Sequence, residues 1–247
     1  MLHEVGRAGR FAAVLLLLLT AAAAPDPAVY TCRVFVTGTG LANRPGALRD
    51  CVEQVLVKLS GQSVPAGTMA DGGLVRDFLY LDLMSDLPLH DEQGTRDRPF
   101  ELIGHVDPVG VETVLRAAGV SAWTAPRPTL LVRVAVTDRN GNRFELTGDG
   151  PGERQRRALL DASERFALPV ALPVEVPGSL PNPGTADVSS QPTLAGELRW
   201  SDADFGWNAS WRLLDAGDAW TVTGVSFDAA FRAGVGGAAQ WFARRGP

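Results

Sequence analysis

The residues best suited to chemistry in this sequence are two histidines and the carboxylates near them. His90-Asp91-Glu92 stands in a polar stretch, and His105 and Asp107 follow further along. Imidazole nitrogens and carboxylate oxygens are zinc ligands. One expectation is therefore a metal-dependent, or otherwise hydrolytic, enzyme centred on His90 and His105. Adjacent residues on an extended chain point to opposite sides, so His90, Asp91 and Glu92 converge poorly on one ion. A solvated loop is the simpler account. Ser60-Gly61 ends a helix and forms no nucleophile elbow. Neither histidine stands in a recognisable triad context. Gly38-Thr39-Gly40 lies between a strand and a helix but lacks the third glycine at dinucleotide spacing. Gly148-Asp149-Gly150-Pro151-Gly152 precedes a helix whose start could hold an anion. Asp149 and Glu153 repel one, and Asp149 is expected to cap the helix instead. No catalytic, metal or cofactor set is expected from these motifs.

The tryptophans and cysteines carry the remaining chemistry. Trp200, Trp207, Trp211, Trp220 and Trp241 all fall near the C-terminus. On a strand Trp207, Ala209 and Trp211 face one way. Exposed with Trp220, they would form a platform for a sugar or a protein. The more economical account places them in a core between a sheet and the last helix. Cys32 and Cys51 would bridge in an oxidising compartment. Against this, Cys32 opens a strand that advances ~3.3 Å per residue, and Cys51 lies on a helix that returns only ~1.5 Å per residue. Two small buried thiols are the alternative.

The compartment is read from the first residues. Arg7 and Arg10 precede an uncharged run, Phe11 to Ala24, which ends in small residues before Pro25-Asp26-Pro27. That is the pattern of a cleavable export signal over residues 1–24, and the run is short for a membrane span. The expectation is a periplasmic protein with no membrane span after cleavage. At 247 residues, 45 % hydrophobic and 21 % charged, the rest is ordinary globular material. A net charge of −5 argues against a nucleic-acid partner. Lys58 is the single lysine among many arginines.

These residues must be positioned by a series of short elements. Tyr30 to Gly38 reads as a strand. Gly46 to Ser60 reads as a helix, with Leu48, Cys51, Val52, Val55, Leu56 and Leu59 on one face and Gly61 ending it. Leu74 to Met84 is expected to be a weaker helix, and Ser85 to Arg98 a loop. Phe100 to Val106 is a strand, followed by a helix that Asp107-Pro108 opens. Ala125-Pro126-Arg127-Pro128 marks a boundary, with Trp123 and Arg127 as its joint. Thr129 to Val136 is a buried strand. Asn140-Gly141 turns it back over Arg143 to Thr147. Glu153 to Ala167 is a helix with Leu159, Leu160, Ala162, Ser163 and Phe166 inward. Leu168 to Val174 is a strand in parallel with the first. Residues 175–192 are expected to be loop. Three strands, Thr193 to Trp200, Trp207 to Leu214 and Trp220 to Val225, precede a helix over Phe227 to Ala243 that Gly234, Gly236 and Gly237 weaken. The fold class is α/β (α+β): two small domains, 28–123 and 128–244, each a short mixed sheet with helices on one face.

Three segments together resemble a known family. They are Val55-Leu56-Val57-Lys58-Leu59-Ser60-Gly61, the run from Val111 through Trp123 to Pro128 with its following apolar strand, and Phe166-Ala167-Leu168-Pro169-Val170-Ala171-Leu172-Pro173. In that order they resemble the bacterial family catalogued as domain of unknown function 2066, over residues ~29–225. The family's pattern places a short helix before Thr193, where this chain has a Pro-rich stretch. The resemblance implies an envelope-located bacterial protein and carries over no catalytic residue.

The expected function is a non-enzymatic periplasmic module that binds or helps assemble an envelope component, with protein or peptidoglycan as partner. The alternatives are the His90/His105 enzyme and a glycan binder using Trp207, Trp211 and Trp220. Oligomeric state is left open.

Overall fold

In chain order the elements are β1 (Thr31–Thr37), α1 (Arg44–Ser60), β2 (Val75–Asp82), β3 (His90–Asp91), β4 (Gly94–Thr95), β5 (Pro99–Val106) and α2 (Pro108–Ala117). There follow β6 (Leu130–Thr137), β7 (Arg143–Glu145), α3 (Glu153–Phe166), β8 (Val170–Ala171), β9 (Thr193–Ser201), β10 (Gly206–Leu213), β11 (Ala219–Val225) and α4 (Phe227–Arg245). This computed structural model describes residues 27–62, 70–87, 90–91, 94–95, 98–174, 191–214 and 216–245. The expected export signal and most of the expected 175–192 loop lie outside the described residues.

The chain is an α+β fold with a smaller and a larger sheet. The smaller has the order β1-β5-β2 and is wholly antiparallel. Its inner face, with Cys32, Val34, Leu102 and Val106, packs on α1 and α2. The larger has the order β11-β10-β9-β6-β7, with β8 paired to β6. Here β6 runs parallel to both β8 and β9, so β6–α3–β8 is the expected crossover unit. Its inner face packs on α3 and α4. Helix α1 also meets α3 and α4. The helices thus form the inner layer, and each sheet turns its other face outward. Among the described residues no helix is long and apolar enough to cross a membrane.

Local rules explain most boundaries. Gly61 ends α1 with φ +67 and donates its N–H to Val57 O. A side chain there would also strike the Ala239 backbone of α4, so only glycine satisfies both the turn and the close approach. Asp107 caps α2 by accepting from Val109 N–H, and Ser226 Oγ accepts from Ala229 N–H at the start of α4. Asp138 Oδ1 accepts from Asn140 and Asn142 N–H and braces the β6–β7 hairpin. The bond from the Asn142 side chain holds the Asp138 carboxyl below the usual carboxylate range.

Several expectations are corrected. The stretch expected as a helix over Leu74 to Met84 is β2. Phe78-Leu79-Tyr80-Leu81 is apolar at every position, so it fits either period. Pairing with β5 decides for the strand. A two-residue ladder, β3–β4, interrupts the expected loop over 85–98. Asp149 does not cap α3; Gly152 is the N-cap, with no side-chain bond. Arg156 instead gathers the carbonyls of Thr147, Gly150 and Pro151. Leu160 points to solvent rather than inward.

Cys32 and Cys51 are bonded, with Cα atoms 5.1 Å apart. The strand and helix advances differ by roughly 6 Å over these positions. The turn over residues 38–43 makes up that difference, which element lengths alone leave out.

Tyr30 joins the smaller core from a short 3-10 turn ahead of β1 and donates to Glu112 Oε1 at 2.8 Å. Burial, then the Glu112 contact, pushes its phenol up to about 12. The folded chain therefore keeps a proton that the unfolded chain releases near pH ~10. Stability should fall as pH rises from about 10 to about 12, and the Tyr30→Phe variant should lose that dependence. Alkaline unfolding curves of the two proteins, with tyrosinate absorbance recorded alongside, check this. Parallel curves would sink it.

Candidate functional site

The metal-like residues do not gather. His90 and Asp91 form β3, whose side chains, like Glu92, lie outside the described residues. His105 stands on the outer face of β5 and contacts Asp77 at 2.5 Å. Asp107 is engaged by Arg76 and by the cap of α2. Among the described residues no three His, Cys, Asp or Glu side chains converge.

The tryptophan row is not a surface platform. Trp207 and Trp211 are buried, and Trp220 is half-buried. Trp211 is 2 % exposed and packs between Gly196 of β9 and Gly234 of α4, beside Phe231. Trp207 meets Trp200 edge to face. Trp220 lies against Gly237 and donates Nε1–H to Ala233 O. The glycines that look like weaknesses in α4 are the sockets for these rings. Gly236 likewise faces Phe166.

Trp123 and Arg127 form the joint between the two cores. Arg127 donates to Lys58 O at 2.7 Å and Phe166 O at 2.9 Å, the C-terminal carbonyls of α1 and α3. Its guanidinium sits 4.0 Å over the Trp123 ring, which stacks on Phe242. A cleft of about 500 Å³ beside this joint is lined by Lys58, Arg33, Ser163 and Glu164. Burial pushes the Lys58 amine below its ordinary value. Its Nζ is committed to Thr31 O at 2.7 Å. One helical turn earlier Gln54 bonds both N–H and C=O of Arg33, and Asn43 holds Thr37 O. These side chains occupy the open edge of β1, which would otherwise invite another strand. Lys58 is thus an edge cap rather than a nucleophile.

The two outward sheet faces differ in kind. On the larger sheet Arg133 pairs with Glu145, and Glu197 with Arg143 and Arg199. The two arginines hold the Glu197 carboxyl below its usual value, Arg143 more than Arg199. That is a solvated face. On the smaller sheet the outward positions include Phe35, 75 % exposed, Leu79, 55 %, and Leu81, 48 %. Phe35 and Leu81 flank Glu101 in cross-strand register, and Leu79 is opposite Ile103. Glu101 is covered by these neighbours and pairs with Arg33 at 3.2 Å. The patch is apolar, and its charges are paired, Arg33 with Glu101 and with Glu164 of α3, and His105 with Asp77.

Sequence reasoning missed this face. Its signal is a strand apolar at both parities, with Phe78 and Tyr80 inward and Leu79 and Leu81 outward. A one-sided strand should alternate. Compared with described families and with curated proteins, the chain matches no family and no individual protein.

Proposed function

We propose that the chain is an exported, non-enzymatic module of the bacterial envelope that docks a protein partner on the outward face of its smaller sheet. The carrying observation is the cluster of Phe35, Leu79 and Leu81, exposed together. Contiguous exposed apolar surface on a soluble protein marks an interaction site. Among the described residues, Arg33 is paired with Glu101 and His105 with Asp77, so the face does not present the unpaired basic rim that a lipid surface would call for. Nucleic acid is disfavoured by the net charge of −5. The blocked edge of β1 excludes strand addition there and favours a face-on partner. Export rests on the basic and then apolar N-terminal pattern, and the envelope setting on the family resemblance.

Site-specific photo-crosslinkers at positions 35 and 79, used in living cells, test the proposal. One discrete protein adduct is expected from both positions and none from exposed Leu160. With that partner purified, Leu81→Asp should weaken binding by about 30-fold, the scale of a central interface anchor. Equal crosslinking at all three positions, or adducts with lipid alone, would overturn the assignment.

A further inference from the structure

A second surface lies in the other half of the molecule, where α4 ends beside β11. A groove of about 600 Å³ is lined there by Asp218, Trp220, Gln240, Trp241, Arg244 and Arg245. Arg245 lies 4.1 Å from the centre of the Trp241 ring. Among the described residues no carboxylate pairs with Arg244 or Arg245, in contrast to the arginines on the outer face of the larger sheet. Arginines in the last turn complement the helix dipole. The dipole does not explain the groove.

We propose that this groove is a binding site for a saccharide that carries a carboxylate. Its volume suits one or two sugar rings, within the ~300–1,000 Å³ of small-ligand sites. The half-buried Trp220 indole offers flat apolar surface to the C–H face of a sugar. Guanidinium groups fork a carboxylate with two parallel bonds, and the ring beneath Arg245 pre-orients one of them. The Gln240 amide, already bonded to Gln62, can still offer or accept a bond to a hydroxyl. Asp218 on the same groove opposes the double charge of a phosphate. The groove is open and rimmed by charge, whereas an acyl chain needs enclosure.

The site is independent of the sheet-face docking, so either can fail alone. The test is calorimetric titration of the purified full chain with three disaccharides. N-acetylglucosaminyl-N-acetylmuramic acid represents peptidoglycan strands stripped of their peptides, whose lactyl carboxylates are free, digalacturonate represents uronic-acid polymers, and chitobiose is the neutral control. Saturable binding of at least one acidic disaccharide is expected, with chitobiose about tenfold weaker or more. The Arg244→Ala/Arg245→Ala variant should weaken the acidic ligand about tenfold and leave chitobiose unchanged. Both side chains are exposed, so an unchanged circular dichroism spectrum is expected. The Trp241 indole N–H resonance, assigned with Trp241→Phe, should shift on binding. Preference for the muramic or the uronic ligand identifies the source, and equal binding assigns recognition to the carboxylate alone. Absence of saturable acidic binding, equal chitobiose affinity, or indifference to the arginine pair overturns the proposal.

Discussion

Arg127→Met is expected to lower the unfolding free energy by about 4 kcal/mol and to divide one cooperative transition into two. The last carbonyls of a helix lack partners within it. In α1, Gly61 N–H serves Val57 O and Trp123 N–H serves Leu59 O. Arg127 serves Lys58 O and, from the same planar group, Phe166 O of α3. Its positive charge lies where both helix dipoles are negative. Methionine keeps much of the length and apolar contact but leaves two part-buried carbonyls unmet, at roughly 1–3 kcal/mol each. It also removes the cation from the Trp123 ring, worth roughly 0.5–2 kcal/mol. Arg127→Lys should recover less than half, because a point charge cannot fork between two helix ends.

The splitting of the transition is the sharper outcome. Among the described residues the two hydrophobic clusters share no side chain, and Val57 of α1 belongs to the larger one. Contacts of α1 with α3 and α4 are sparse beside those of α3 with α4. Arg127 is therefore a large part of what couples the cores. Guanidinium unfolding followed by both far-UV circular dichroism and tryptophan emission reads the coupling, since the described tryptophans belong to or pack against the larger core. Coincident curves with an unmoved midpoint would show that the joint is dispensable.

The part of this architecture legible in the sequence is the part set by short-range periodicity. The face of α1 carrying Cys51, Val52, Val55, Leu56 and Leu59 is buried as its spacing predicts. The Asn-Gly hairpin and the parallel crossover also follow from local pattern. What spacing could not show is that α1 is covered on a second side. Lys58 and Ser60 look like a solvent face yet are buried, because α3 and α4 lie against them. The same limit governs the tryptophans. Alternation puts Trp207 and Trp211 on one side of β10, but only the position of α4 decides that this side is inward. Leu79 and Leu81 reverse the problem. Their exposure is what disguises β2 as a helix, so the feature that misleads the periodicity is the one that marks the docking face. The groove at the end of α4 is assembled from the start of β11 and from the last turns of α4, which no local window spans.

Gly234→Ala is expected to destabilise the protein by about 2 kcal/mol, against the sign that helix propensity predicts. In an exposed helix interior this change gains roughly 1 kcal/mol. Here a Cβ would stand 2.6 Å from Trp211 Cε2. The indole cannot retreat, because its far side already presses on Gly196 of β9, and close-packed interiors yield little to an added methyl group. Either the ring leaves its rotamer or α4 lifts from the sheet. Gly237→Ala should cost less, since it meets Trp220, which is half-buried and can swing toward solvent. The partner in the clash can be identified by a double-mutant cycle. Trp211→Phe creates room and also removes a buried indole N–H with no acceptor among the described residues. Adding Gly234→Ala to that background should cost at least 1 kcal/mol less than in the parent, a coupling typical of residues in direct contact. Thermal and denaturant unfolding of the four proteins measure it. A raised melting temperature for Gly234→Ala alone, or strictly additive effects, would mean that α4 is not held against Trp211. The glycine run would then be an unfilled weakness in the helix rather than a seat for aromatic rings.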